Sequence, residues 1–389
     1  MSSREFDIII YGASGYTGRL VAEYLQAEYG GSGLKWAMAG RNAEKLQTVA
    51  GEMKIGGNVA VITANSDEPE SLAALAARTK AIITTVGPYQ LYGEPLVKAC
   101  AEAGTDYVDL CGEPAWMKDM IDRYDVAAKK SGARIVLSCG FDSIPFDLGV
   151  YHLQKQAIET HGGPCERVRC RVRGMKGTFS GGTAASFMET MKRAQKQPEI
   201  LEWLKDPFSL SPEKGVDQPP IHKPMEEADL GSWATPFIMA SINTKNVHRS
   251  NALMGYKYGR DFKYGEMVLT GPGEQGEQIA KTMATTNTFG DNPPKPGEGP
   301  TKEERETGSY DVMFVGDAPN GTRLITSVQG DKDPGYGSTS KMIAEAAMTL
   351  VKNPKGIGGV MTPAPAMAEA LITRLTHHAG LSFTVEAGA

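Results

Sequence analysis

The sequence predicts an α/β protein with a doubly wound parallel sheet in its first domain and an α+β second domain. Two observations support this fold class. The first ~145 residues alternate apolar runs with segments of helical period, which is typical of right-handed βαβ units and a parallel sheet. After Pro145 this alternation stops, and two strand-like runs flank "PNG", a hairpin signal. A chain of 389 residues has room for two domains.

Each element of the first domain follows from its own pattern. Helices are expected at 16–29, 41–51, 68–78, 94–103 and 116–131, where apolar side chains recur at helical spacing or acidic residues open the segment. Strands are expected at the apolar runs 6–12, 34–40, 59–65, 81–87, 105–112 and 133–140. Residues 1–145 are therefore predicted to form a Rossmann domain.

The second domain is assigned to residues 146–335. Its expected helices are 146–158 and a segment that follows the glycine-rich link 177–186 and ends at 191. Its expected strands are 166–174, 261–269, 309–318 and 322–330. Residues 289–309 are rich in proline, glycine and charge, and a segment of this kind is either a lid or disordered. Helical periodicity returns at 338–351 and 367–379.

Composition excludes several classes of protein. The net charge of −5 argues against a nucleic-acid partner, since such domains carry a basic face. Five scattered cysteines without a C-x-x-C pair, and histidines without H-E-x-x-H, predict neither a metal site nor a disulfide framework. We find no signal peptide and no apolar run long enough for a transmembrane segment, so we expect a cytoplasmic protein.

The stretch "IIIYGASGYTGRL" predicts a dinucleotide site. Gly12, Gly15 and Gly18 follow a strand and open a helix, at the spacing G-x-x-G-x-x-G. In this context the glycines allow a tight turn, a close approach to a pyrophosphate and close helix packing. Ser14 and Thr17 add hydroxyl donors beside the phosphates.

The end of the second predicted strand indicates which dinucleotide binds. NAD enzymes place an acidic residue there to bind the ribose 2′-hydroxyl. This sequence has Gly40 and Arg41 instead, and Lys45 lies one helical turn further on. A guanidinium binds a 2′-phosphate well, and no carboxylate repels it. We therefore predict NADP(H) as the cofactor. The alternative is that Arg41 is a solvated residue at the start of a helix and binds no phosphate.

Candidates for the chemistry lie where other predicted strands end. Ligands of doubly wound sheets bind at the carboxyl ends of the strands. The fourth strand leads into "VGPYQLYGEP" and the sixth into "SCGFDSIPFD". Tyr92 and Asp142 are the candidate catalytic residues, since reduction by a dinucleotide often needs an acid beside the substrate. The structural alternatives are a packing role for Tyr92 and a helix cap for Asp142.

These blocks, with "GTFSGGTAAS" and "GGVMTPAPAM", resemble the saccharopine dehydrogenase-like oxidoreductases, and most closely the branch that includes trans-acting enoyl reductases. The resemblance covers nearly the whole chain. It implies a central α+β domain over the cofactor and C-terminal helices, here 336–389, that return to the Rossmann domain. The residues it implies for the cofactor are Gly12, Ser14, Gly15, Tyr16, Thr17, Arg41 and the loop Val86, Gly87 and Pro88. It places Asp142 and Ser143 near the nicotinamide.

The cleft blocks contain few cationic residues, which departs from the saccharopine enzymes that bind substrate carboxylates. We therefore expect an NADPH-dependent reductase of a C=C bond in a lipid, isoprenoid or polyketide-like substrate. The segment 232–242 and the 289–309 lid are the expected shelter for its apolar chain. The expected partner is an apolar small molecule or a carrier-bound acyl group. The sequence leaves open whether the protein contacts a membrane surface and whether it forms a homodimer. The alternatives are a saccharopine-type C–N oxidoreductase and a non-catalytic NADP-binding scaffold or regulator.

Overall fold

Two seven-stranded sheets organise the molecule. The computed structural model describes residues 4–177, 181–287, 297–354 and 356–386. Its strands are β1 (Phe6–Tyr11), β2 (Trp36–Gly40), β3 (Ala60–Thr63), β4 (Thr79–Thr84), β5 (Asp106–Val108), β6 (Arg134–Val136), β7 (Arg167–Lys176), β8 (Met225–Glu227), β9 (Ser232–Pro236), β10 (Lys263–Gly271), β11 (Ser309–Asp317), β12 (Arg323–Gly330), β13 (Gly359–Met361) and β14 (Leu381–Val385).

The helices lie between these strands and around the two sheets. They are α1 (Tyr16–Tyr29), α2 (Ala43–Glu52), α3 (Pro69–Ala77), α4 (Tyr89–Tyr92), α5 (Glu94–Ala103), α6 (Pro114–Ser131), α7 (Ile144–His161), α8 (Gly181–Lys196), α9 (Glu199–Lys205), α10 (Ala240–Leu253), α11 (Gly273–Thr285), α12 (Lys302–Glu306), α13 (Thr339–Lys352) and α14 (Pro363–His378). Within the described ranges, no helix is long and apolar enough to cross a membrane.

The first sheet is the predicted doubly wound parallel sheet. Its strand order is β13-β6-β5-β4-β1-β2-β3, and every recorded pair in it is parallel. The side chains of Ile8, Ile9 and Ile10 in β1 are fully buried at its centre. Because the strands run the same way, the loops after β1, β4, β5 and β6 meet at one edge of the sheet. The predicted bounds of α1 and α5 match those of the structure.

The second sheet is mixed, with the order β14-β12-β11-β7-β10-β9-β8. Only β7 and β10 form a parallel pair among its recorded pairs. The predicted hairpin is present, since β11 and β12 pair antiparallel with Asp317 opposite Arg323. α7 leads from β6 into β7 and packs on β11 and β12, and α10 packs on α7 and β10. The buried apolar side chains of both sheets belong to one hydrophobic cluster.

Several elements were not expected from the sequence. α10 reads "ASINTKNVHRSNAL", and it is buried with polar side chains on every face, so it has no apolar period to detect. α11, β13 and β14 were also missed; the two strands have three and five residues. The C-terminal segment contributes more than helices, because β13 joins the first sheet and β14 joins the second.

Candidate functional site

The glycine loop lies where the strands of the first sheet end. Gly12 has φ +89°, a conformation that disfavours side chains, and a Cβ there would lie 2.7 Å from Val86 Cγ2. A Cβ on Gly18 would lie 2.2 Å from the carbonyl oxygen of Gly12. The loop therefore needs glycine at both positions, one for the turn and one for the contact between α1 and the loop.

The N-terminus of α1 is open to a ligand. Its N-cap is Gly15, and no side chain caps the first turn. Uncapped backbone N–H groups and the helix dipole favour an anion at this position. Gly15 and Thr17 line an adjacent cavity, which is the position expected for a pyrophosphate.

A cavity of about 320 Å³ lies on the β2 side of the loop. Arg41 and Lys45 line it, both exposed, and no carboxylate is among its described lining residues. Ser14, Val86 and Gly87 line the same cavity. Two cations in a cavity whose described lining has no carboxylate fit an adenosine that carries a 2′-phosphate, so these residues fit NADP(H) better than NAD(H).

Tyr92 lies in the cavity of Arg41 and Lys45, at the end of α4, with 40% of its surface exposed. Asp142 does not line that cavity; it lines the cleft on the other side of the loop. The structure therefore does not bring the two catalytic candidates together. The position of Tyr92 favours a contact with the adenosine half of a cofactor over a role in proton transfer.

The second cleft consists of two connected cavities of about 310 and 90 Å³. They share five lining residues: Thr17, Leu110, Asp142, Thr183 and Met239. Most of the wall is apolar, with Pro114, Phe187, Leu204, Ile238 and Ile242 in the larger cavity and Phe141, Met175 and Phe237 in the smaller one. The described lining contains no lysine, arginine or histidine.

Asp142 is the one carboxyl group among the described lining residues of this cleft. Burial between the cleft walls raises the pKa of Asp142 to about 6. A Cβ on Gly112 would lie 3.4 Å from Asp142 Oδ2, so the loop after β5 packs against the carboxyl group. An acid with this pKa can hold a proton near neutral pH and face an apolar ligand.

The residues around Asp142 are fixed by buried hydrogen bonds. Ser143 is fully buried, and its Oγ accepts a hydrogen bond from Asn246 Nδ2 at 2.7 Å. Cys111 and Cys139 are also fully buried, and burial raises the pKa of both thiols well above its usual range. Such thiols are inert packing groups and not nucleophiles.

Tyr16 contacts the segment predicted as a lid. Residues 289–296 of that segment lie outside the described residues, and α12 lies in the remainder. The Tyr16 hydroxyl donates to the carbonyl of Pro300 and accepts from Arg305 Nη1 at 2.6 Å. Gly297 lines the larger cavity of the cleft. The segment 297–306 thus packs on the glycine loop, and the hydroxyl of Tyr16 is engaged in that contact.

One wall of the cleft was not expected from the sequence, and another was. Ser186, Phe187 and Thr190 of α8 form one wall, and Met239 and Ile242, at and just after the start of α10, form another. The second wall belongs to the segment 232–242, which the sequence predicts as a shelter for an acyl chain, and its last residues line the cleft. The wall from α8 was missed. Within the described ranges, no group of histidine, cysteine, aspartate and glutamate side chains could hold a metal ion.

Comparison with known proteins agrees with this geometry. Residues 8–136 match the model of the saccharopine dehydrogenase NADP-binding domain. A Mycobacterium tuberculosis protein that carries a provisional name as a trans-acting enoyl reductase is 39% identical, with 96% of both chains covered. The trans-acting enoyl reductase of Mycobacterium bovis (BCG) is 37% identical over 96% of both chains.

A solved structure extends the likeness in fold to the whole chain. The apo saccharopine dehydrogenase (L-Glu forming) of Saccharomyces cerevisiae superposes with a TM-score of 0.50 at 13% identity, over 98% of this chain and 100% of that one. At this identity the likeness concerns the fold alone. The chain belongs to the saccharopine dehydrogenase-like family, in the branch that includes trans-acting enoyl reductases, and it is an NADP-dependent oxidoreductase.

Proposed function

We propose that this member of the family reduces the C=C bond of an enoyl substrate with an apolar acyl portion, using NADPH. The observation that carries the proposal is the composition of the cleft. Its walls are apolar, Asp142 is the carboxyl group within it, and no cationic side chain is among its described lining residues. The names of the mycobacterial relatives agree with this activity.

The cofactor is assigned to the residues on both sides of the glycine loop. Arg41 and Lys45 would bind the 2′-phosphate, and the N-terminus of α1 at Gly15–Thr17 would bind the pyrophosphate. Gly87 lines both cavities, so the Val86–Pro88 loop would contact the cofactor between its adenosine and nicotinamide halves. Bound NADPH supplies the hydride that the reaction needs.

Asp142 is the proposed acid. With a pKa of about 6, roughly a tenth of the molecules carry a proton on this carboxyl group at pH 7. In conjugate reduction the β-carbon accepts a hydride while negative charge develops on the carbonyl oxygen. The protonated carboxyl can donate a hydrogen bond to that oxygen or deliver the proton to the α-carbon. The apolar walls exclude water from this step.

The same observation disfavours reductive C–N chemistry on amino acids. Substrates of that class carry carboxylates, which cationic side chains bind most strongly. An aliphatic acyl chain gains stability from the apolar walls of this cleft instead. A non-catalytic scaffold would need neither the buried acid nor the enclosed cleft beside it.

The test compares substrates and one variant. Oxidation of NADPH is followed at 340 nm with medium-chain enoyl thioesters, and with 2-oxo acids plus amines as the opposing class. We expect turnover with the enoyl thioesters, and a kcat about 100-fold lower in Asp142→Asn with NADPH binding retained. Turnover confined to 2-oxo acids and amines would show that the assignment is wrong.

The partner of this site is proposed to be an acyl group on a carrier. In α8, Phe187 lines the cleft with 45% of its surface exposed, and Met188 beside it is 67% exposed, which suits entry of a tethered chain. We also propose that two copies pair through an edge strand of the second sheet. The proposed location is the cytoplasm. Sedimentation of the purified protein measures the first, and fractionation of cells the second.

A further inference from the structure

One buried carboxylate joins the cofactor half of the cleft to its substrate half. Glu113 follows β5, and its side chain is 2% exposed. Its Oε1 accepts from the backbone N–H of Tyr89 at 2.8 Å and its Oε2 from that of Gln90 at 2.9 Å. These two N–H groups begin α4, directly after the loop that we assign to the cofactor. The carboxylate therefore fixes the position of that loop.

The same carboxylate also holds α8. Ser186 Oγ donates to Glu113 Oε1 at 2.6 Å, which is a short hydrogen bond to a charged acceptor. Gln90 adds a second connection, because its Nε2 donates to the carbonyl oxygen of Ser186 at 3.2 Å and to Thr190 Oγ1 at 3.0 Å. Ser186 and Thr190 both line the cleft.

The connection spans elements that are distant in sequence. In the chain, α8 follows β7 and precedes the other strands of the second sheet, whereas Gln90 lies in α4 and Glu113 lies between β5 and α6. Farther along α8, Arg193 Nη2 pairs with Asp119 Oδ2 of α6 at 2.6 Å. The substrate wall is thus attached to the cofactor domain along one face of the helix.

We propose that Glu113 is a positioning residue: it holds α8 against the loop after β4, so that the acyl wall and the nicotinamide half of the cleft keep a fixed separation. The proposal rests on the proposed function for what the cleft binds. Loss of the Ser186 hydrogen bond would let α8 move away from the cleft. The acyl chain would then lose contacts, while the 2′-phosphate and pyrophosphate contacts of the cofactor would not change.

Three variants separate the connections. Ser186→Ala removes the bond from α8 to Glu113, and Gln90→Ala removes the bonds from Gln90 Nε2 to α8. Glu113→Gln leaves one acceptor oxygen for three donors, which are the backbone N–H groups of Tyr89 and Gln90 and the hydroxyl of Ser186. Thr282→Ala is the control, since the Thr282 hydroxyl is exposed on α11 and donates to its own helix at Gln278 O. Hydrogen–deuterium exchange of the 181–196 amides measures the attachment of α8 directly and needs no substrate.

We expect faster exchange in 181–196 for Ser186→Ala and Gln90→Ala, and the largest effect when both are combined. The KM for an enoyl thioester should rise about tenfold in Ser186→Ala, with the Kd for NADPH within twofold of the wild type and kcat less affected than KM. Thr282→Ala should change none of these. If Glu113→Gln does not fold, the other two variants still decide the question.

Unchanged exchange in Ser186→Ala would overturn the inference, whatever Gln90→Ala does, and so would a rise in the Kd for NADPH equal to the rise in KM. Failure of the proposed function has a different signature. In that case no enoyl thioester is reduced by the wild type, while the exchange of α8 still responds to the variants.

Discussion

The preference for NADPH should depend on Arg41. The guanidinium is exposed and lines the cavity on the β2 side of the glycine loop, with Lys45 beside it and no carboxylate among the described lining residues. Replacing Arg41 by alanine removes one cation and its fork of donors from the place assigned to the 2′-phosphate. The Kd for NADPH should rise, whereas the Kd for NADH should stay the same because NADH lacks that phosphate.

The size of the effect follows from the exposure of the site. A hydrogen bond to a charged group contributes about 1.5–3 kcal/mol, and an exposed pair lies at the low end of that range. About 1.5 kcal/mol corresponds to a Kd for NADPH roughly tenfold higher. Removing Lys45 as well should add a further loss, and high salt should reduce the preference of the wild type, since the Debye length falls to about 3 Å at 1 M.

Nicotinamide fluorescence titration measures both affinities. Lys98→Ala is the matched control, because Lys98 is an exposed cation of the same domain that pairs with Glu102 on α5. Equal affinity of the wild type for NADH and NADPH would refute the cofactor assignment. An equal loss of both affinities in Arg41→Ala, or the same effect in Lys98→Ala, would refute the role of Arg41.

Three further outcomes follow from the site. Burial raises the pKa of Asp142 to about 6, and only the protonated carboxyl acts as an acid, so kcat should fall as the pH rises above about 6. The pH–rate profile of Asp142→Asn should lack this fall. If the variant keeps it, Asp142 is not the acid. Tyr92→Phe should leave kcat within about twofold of the wild type, because Tyr92 lies in the other cavity; a 100-fold loss would restore it as a catalytic candidate. Gly18→Ala should lower the free energy of unfolding by about 2 kcal/mol, because its Cβ would lie 2.2 Å from the carbonyl oxygen of Gly12. Gly31→Ala should change it by less than about 0.5 kcal/mol, because a Cβ there would have no atom within 4 Å. Chemical denaturation measures both values, and equal effects would contradict the packing argument.

The first domain was predictable because local patterns determine it. Apolar runs and helical periods placed the strands and helices of the parallel sheet, and the glycine spacing located the loop that we assign to the phosphates. Arg41 and Lys45 could be singled out because they follow a strand end at a known distance. Each of these signals lies within about 20 residues of sequence.

The substrate half was less predictable, because it depends on contacts between distant segments. α10 lies under the cleft with a buried polar surface, which includes Lys245 and His248, so its sequence shows no amphipathic period. The hydrogen bond from Ser186 to Glu113 joins residues 73 positions apart. The separation of Tyr92 from Asp142 also depends on which side of the glycine loop each side chain lies, and a linear sequence does not contain that information.

The most direct test of the central claim is isotope transfer from labelled cofactor. The wild-type protein is incubated with NADPH deuterated at C4 of the nicotinamide and a medium-chain enoyl thioester, and the product is analysed by NMR and mass spectrometry. We predict a saturated thioester with one deuterium at the β-carbon and a solvent-derived proton at the α-carbon. Deuterium at the carbonyl carbon, or no transfer to the enoyl group while a C–N substrate accepts the label, would contradict this prediction.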